Sequence, residues 1–143
     1  MGRRILRKLR SMTSPQGTSE LQELVLPVMA NHHGTLFAGQ GLQLMAKAAF
    51  LAARSLAHRE VVMGGVTGVE FTAPIPVGYT LTLRAWVSRV GCSSMTVCVS
   101  GYTEAPAAPP EEALKGVFEM VAIDGKGRPT AIESNYMKQE FRS

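Results

Sequence analysis

Cysteine is scarce in this sequence, long apolar runs are missing, and no acid occurs near the N-terminus. Only Cys92 and Cys98 occur in 143 residues. They fall in one apparent hairpin without C-x-x-C spacing, which excludes a disulfide framework and a cysteine zinc site. Both read as packing residues. No apolar run approaches the roughly 20 residues that a membrane span needs. The N-terminus has neither the apolar segment nor the small-residue site of a secretory signal, so the expectation is a soluble, cytoplasmic protein without integral membrane association. Acid is absent before Glu20, whereas Arg3, Arg4, Arg7, Lys8 and Arg10 crowd the first ten positions. The net charge of +4 therefore belongs to this arm, and the body is close to neutral. A near-neutral body excludes a nucleic-acid-binding face, which needs a basic stripe on the domain itself.

What is there fits one domain: 45% of the residues are apolar, enough for a core, and no internal repeat appears. Residues 1–19 read as a basic, disordered arm followed by a linker, with Ser11–Glu20 rich in Ser, Thr, Gly and Pro. Residues 20–134 form the domain, and 135–143 a polar tail.

The long helical pattern lies in the stretch from Asn31 to Leu56. Leu42, Met45, Ala46, Ala49, Phe50, Ala53 and Leu56 recur at the spacing of one helix face, widened by Ala48 and Ala52. A helix from about Gly39 to Ala57 is expected, able to cross the concave side of a small curled sheet. Its first N–H groups point outward with partial positive charge, where they can polarise a carbonyl oxygen. Asn31 adds a side-chain amide nearby.

The rest alternates as strands. Leu21–Met29 reads as the first and Val61–Ala73 as a long, bent second. Tyr79–Val90 and Met95–Glu104 form a hairpin around Gly91, Cys92 and Ser93. Ala105–Glu112, with three prolines, is expected to be a surface loop rather than strand. Leu114–Ile123 is the fifth strand, closed by the turn Asp124–Gly127, and Arg128–Ser143 a short extended piece with a frayed tail. Strand, helix, then four strands with short connections predict an α+β antiparallel sheet with one helix packed on it.

Asn31, Gly34, Phe37 and Gly39 give N-x-x-G-x-x-F-x-G ahead of the helix, which resembles the signature of hotdog-fold acyl-CoA thioester hydrolases. Phe71, Pro74, Gly78, Val90, Gly91 and Ser94 extend the likeness through the middle strands. Val121, Ala122, Asp124, Gly127 and Pro129 extend it to the closing strand and turn.

The resemblance implies a five-stranded antiparallel sheet wrapped around one central helix, and subunits that pair their sheets as a homodimer or assemble further into a tetramer or hexamer. It also implies hydrolysis of an acyl-CoA thioester to free acid and CoA, with no separate cofactor. By the resemblance, the thioester carbonyl is held by the backbone N–H of Ala38 or Gly39, and Asn31 orients the water or the thioester. Gly34 and Phe37 shape the substrate site, and Arg89, Ser93 and Ser94 meet the CoA phosphates. The family's carboxylate stands on the helix fifteen residues after the asparagine, and here that position is Ala46. A methyl group can neither deprotonate water nor attack a carbonyl. His33, then Glu70, are the replacement bases the sequence offers. The alternative is a catalytically silent protein that binds an acyl thioester.

Overall fold

A computed structural model describes residues 16–132. Strand β1 (Thr18–Leu24) leads through a single 3-10 turn (Pro27–Met29) to helix α1 (Ala38–Ala57). Strands β2 (Val61–Phe71), β3 (Thr80–Val90), β4 (Ser94–Ala105) and β5 (Ala108–Ala122) follow. All pairs are antiparallel, and the order across the sheet is β1-β3-β4-β5-β2. This is the expected hotdog arrangement, a five-stranded sheet curled around one helix about 30 Å long.

The helix can sit inside the curl because its buried rows are nearly all small. Ala48, Ala49, Ala52, Ala53 and Ala57 are fully buried, with Met45 and Leu56 between them. Their short side chains let Leu81 and Leu83 of β3, Val97 and Val99 of β4, and Phe118 and Met120 of β5 close onto the helix axis. The face differs from the expected one by a rotation: Leu42 is 39% exposed, and Ala46 and Phe50 are only half-buried. Periodicity alone ranks large apolar side chains first. The sheet instead covers the rows with the least bulk and leaves Leu42, Ala46 and Phe50 along the helix flank.

Three expected boundaries give way. Ala105–Glu112 is not a loop: β4 and β5 are joined by the two-residue turn Pro106–Ala107, with Ala105 opposite Ala108 and Thr103 opposite Glu111. Pro109 and Pro110 fit in β5 because β2 pairs with β5 only as far as Phe71 opposite Leu114. Beyond that point one side of β5 is an open edge, where a missing N–H costs nothing. The expected linker also yields its end to β1, since Thr18 and Ser19 pair with Trp86 and Ala85, and Ser19 Oγ donates to the carbonyl of Ala48 at 2.7 Å. The first strand in turn stops at Leu24, and Pro27 starts the 3-10 turn. After β5, Thr130 N–H reaches Ala122 O and Ile132 N–H reaches Cys92 O, both at 2.9 Å. The N-terminal arm before residue 16 and the tail after residue 132 lie outside the described residues.

Strand β2 is an outer strand of the sheet. Val62, Val66 and Phe71 on it are each between 44% and 46% exposed, and Met63 is 39% exposed. An apolar, unpaired edge of this length invites pairing with another chain.

Candidate active site at the helix entrance

The site begins with a short loop that the sequence forces into a hairpin-like turn. Asn31 N–H donates to Thr35 O at 2.8 Å and Gly34 N–H to Asn31 O at 3.1 Å. Gly34 has φ +76°, a left-handed conformation that a side chain would strain. Asn31 Oδ1 accepts from the N–H groups of His33 (2.9 Å) and Thr35 (3.2 Å) and lies 3.2 Å from the Thr35 hydroxyl. Because backbone N–H groups only donate, the atom they meet must be the amide oxygen, which leaves the Asn31 NH2 group as the free end. The loop is tied to the β2–β3 connection by Leu36 N–H to Ile75 O at 2.7 Å and Val77 N–H to Gly34 O at 3.0 Å.

Phe37 follows as the N-cap of α1, extended at φ −65° and ψ 135°, and no side chain caps the helix. Its carbonyl receives Gln40 N–H and Gly41 N–H at 2.9 and 3.1 Å. Among the described residues no acceptor meets the N–H of Ala38 or Gly39. The Phe37 ring lies so close to Gly39 that a Cβ there would stand 2.8 Å from it, which accounts for glycine at the second helical position. A Cβ on Gly41 would likewise stand 3.0 Å from the ring of Phe71, at the end of β2.

Asn31 and Ala38 open into one cleft of about 270 Å³, walled by Leu36 and by the segment 71–75. An amide NH2, free N–H groups at a helix start and apolar walls suit a carbonyl oxygen on which negative charge develops. A helix N-terminus alone would bind any anion. The second donor and the apolar walls narrow the choice to a polarised, largely uncharged group.

The other predicted residues fall in different places. His33 is exposed on the Asn31 loop, its ring tilted by 42° against that of His32 with centroids 3.9 Å apart. Glu70 is on the sheet's outer face, 3.6 Å from Lys115 Nζ, and lines a separate hollow of about 320 Å³ with Trp86 and Gly68. Within one chain Glu70 and Asn31 therefore do not converge. Arg89 and Ser94 share a third hollow of about 270 Å³ with Gly91, Thr96 and Glu119. There the Glu119 carboxylate accepts the Thr96 hydroxyl at 2.9 and 3.0 Å. Ser93 contributes its carbonyl, which takes the N–H of Ala122 at 2.7 Å.

Thr35 went unnoticed in the sequence although it fixes Asn31. The available signal was an asparagine followed by glycine at the third position and a hydroxyl residue at the fourth, an Asx-type turn. In the Asp124–Gly127 turn, Asp124 Oδ1 accepts from Lys126 N–H (2.8 Å) and Arg128 N–H (3.0 Å). The Arg128 bond first and the Lys126 bond second hold its carboxyl below its ordinary value of 3.8. Among the described residues no group of three metal-ligating side chains occurs, and no helix is long and apolar enough to cross a membrane.

Comparison with known proteins agrees with this fold. A sequence profile of the Thioesterase superfamily matches residues 33–109. The acyl-CoA thioester hydrolase YciA of Escherichia coli is 29% identical over 122 residues, covering 82% of this chain and 92% of that protein. An acyl-CoA hydrolase from Staphylococcus aureus, solved in complex with butyryl coenzyme A, coenzyme A and coenzyme A disulfide, superposes with a TM-score of 0.77 at 29% identity. That match covers 80% of this chain and 71% of the other. The same enzyme has been solved as three variants, each with alanine in place of one asparagine, aspartate or threonine. The hexameric thioesterase y2039 of Yersinia pestis superposes with a TM-score of 0.77 at 27% identity, over 84% of this chain and 98% of that one. The fold, the profile match across the helix and three strands, and these relatives together make the chain a member of the thioesterase superfamily.

Proposed function

We propose that this protein is an acyl-CoA thioester hydrolase, converting an acyl-CoA and water to a free acid and CoA. The observation that carries the reading is the cleft at the start of α1, which Asn31 and Ala38 line together, beside helix N–H groups that meet no acceptor among the described residues. In the reaction a water oxygen attacks the thioester carbonyl carbon, and the carbonyl oxygen gains negative charge. The N–H groups of Ala38 and Gly39 receive that charge, while the Asn31 NH2 group orients the carbonyl or the water. The C–S bond then breaks, and CoA leaves as thiolate and takes a proton.

His33 is the nearer candidate to accept the water's proton, because its backbone N–H is anchored to Asn31 Oδ1. Glu70, on the other face of the sheet, would act only in a site that includes another subunit. Gly34 and Phe37 set the shape of the cleft mouth. Arg89, Ser93 and Ser94 are the proposed CoA phosphate contacts, with Glu119 in the same hollow limiting how much negative charge is welcome. No metal or redox cofactor takes part in this scheme; coenzyme A enters as part of the substrate. The apolar β2 edge pairs with a second copy, and the hexameric relative makes a trimer of such dimers a reasonable assembly. A cytoplasmic location suits a substrate made and used inside cells.

A second reading is favoured by one observation: Ala46 fills the position where the family resemblance expects the carboxylate. In that reading the protein holds an acyl thioester without cleaving it. Release of free thiol from butyryl-CoA by the purified protein separates the two. Turnover that is abolished in Asn31→Ala supports the hydrolase, and CoA binding without turnover supports the silent binder.

A further inference from the structure

In the Staphylococcus aureus hydrolase, the aspartate and the threonine replaced by alanine lie fifteen and thirty-two positions after the replaced asparagine. Counted from Asn31, the same intervals fall on Ala46 and Met63. The three variants share the fold of this chain, with TM-scores of 0.76 to 0.78 over 80% of it, and the intervals are counted along that shared fold.

The two positions share a side of the molecule. Met63 stands opposite Met120 in the β2–β5 ladder, and directly opposed residues of an antiparallel pair point to the same face. Met120 is 1% exposed in the core beneath the helix, so Met63 also faces the helix side while remaining 39% exposed at the open edge. Ala46 lies on the helix flank with Leu42 and Phe50, in the row that this chain's own sheet leaves uncovered. A carboxylate placed alone among such apolar neighbours would be pushed toward its neutral form by desolvation, and a hydroxyl donating to it would oppose that push. The two groups are therefore useful together, and losing one removes most of the value of the other.

We propose that Ala46 and Met63 mark one lost unit, a carboxylate and hydroxyl pair for activating water, while the carbonyl-holding half at Asn31 and Ala38 is retained and His33 is left as the base. Turnover by this chain is then limited by water activation and not by acyl-thioester binding. The inference rests on the hydrolase reading above. Neither a methyl nor a thioether can take the proton that water must lose when its oxygen bonds to the acyl carbon and CoA thiol departs.

The test is a double-mutant cycle on the full chain with butyryl-CoA, read as kcat by free-thiol release, with CoA affinity measured by calorimetry. Ala46→Asp/Met63→Thr together should raise kcat by about 10²-fold or more, the size of a general-base contribution. Either change alone should give less than about tenfold, and CoA affinity should stay within about threefold, so that the effects on kcat are non-additive. Full gain from Ala46→Asp alone, or a folded double variant no faster than wild type, overturns the proposal. Absence of CoA binding in every variant overturns the hydrolase reading itself and this inference with it. If the double variant shows no cooperative melt, formate is added to folded Met63→Thr to supply the carboxylate from solution. A formate-dependent rise in kcat then supports the proposal, and a flat response overturns it.

Discussion

Asn31 has two jobs that a single substitution can separate. Its Oδ1 organises the loop through the N–H groups of His33 and Thr35 and the Thr35 hydroxyl, and its NH2 end is the proposed donor to the reacting group. Asn31→Asp keeps an oxygen acceptor for all three loop contacts, strengthened by charge, and removes the donor. Asn31→Ala removes both and leaves two N–H groups without their acceptor. An unsatisfied donor costs about 1–3 kcal/mol when buried, and this loop is half-exposed, so a loss near 1 kcal/mol is expected for Asn31→Ala. For a domain of this size that corresponds to a Tm drop of roughly 3–6 °C. Asn31→Asp should melt within about 2 °C of wild type. Loss of one donor to a developing oxyanion costs about 10²–10³ in kcat, and both variants should lose that much in a free-thiol release assay. The reasoning is refuted if Asn31→Asp hydrolyses butyryl-CoA at the wild-type rate or faster, or if it is as unstable as Asn31→Ala.

Other consequences follow from the packing and the edges. Gly101→Ala would set a Cβ 2.4 Å from Cδ1 of the fully buried Leu114, so overpacking should cost about 1–3 kcal/mol in chemical denaturation; an unchanged midpoint would contradict the tight fit. Val66→Lys puts a charge on the apolar β2 edge and should shift the protein to a lower mass in light scattering, with the monomer fold retained by circular dichroism; an unchanged mass would rule out β2 as the pairing edge. Because the folded carboxyl of Asp124 titrates below its ordinary 3.8, its contribution to stability is present above that value and is lost as pH falls through the lowered one. Asp124→Asn should therefore melt with a shallower fall in Tm below about pH 4, and parallel acid limbs for the two proteins would contradict the turn's role.

The helix, its alanine content and all five strands were legible because each rests on local periodicity, although β1 and β5 differ in their bounds, and turn residues such as Gly91 and Gly127 mark real turns. The β4–β5 connection was not legible. Pro109 and Pro110 read as loop until the end of β2 at Phe71 is known, because only then is one side of β5 an open edge. The buried face of α1 was misjudged for a related reason: which rows a sheet covers depends on how closely it approaches, and that favours Ala48 and Ala52 over Leu42. At the site, Asn31 and the helix N–H groups could be found from the turn pattern. The support from Thr35 and the wall formed by residues 71–75 could not, since they come from a loop contact and a strand end brought together only by the fold. Met63 carried no signal of its own, because a methionine in an apolar strand looks like core.

The most direct test of the central claim is a crystal structure with a non-hydrolysable acyl-CoA analogue whose thioester sulfur is replaced by methylene. The account predicts its carbonyl oxygen at about 3 Å from the N–H of Ala38 or Gly39, with the Asn31 amide beside it. An acyl group bound instead in the Trp86 hollow on the outer face of the sheet, with the helix start facing only solvent, would contradict it.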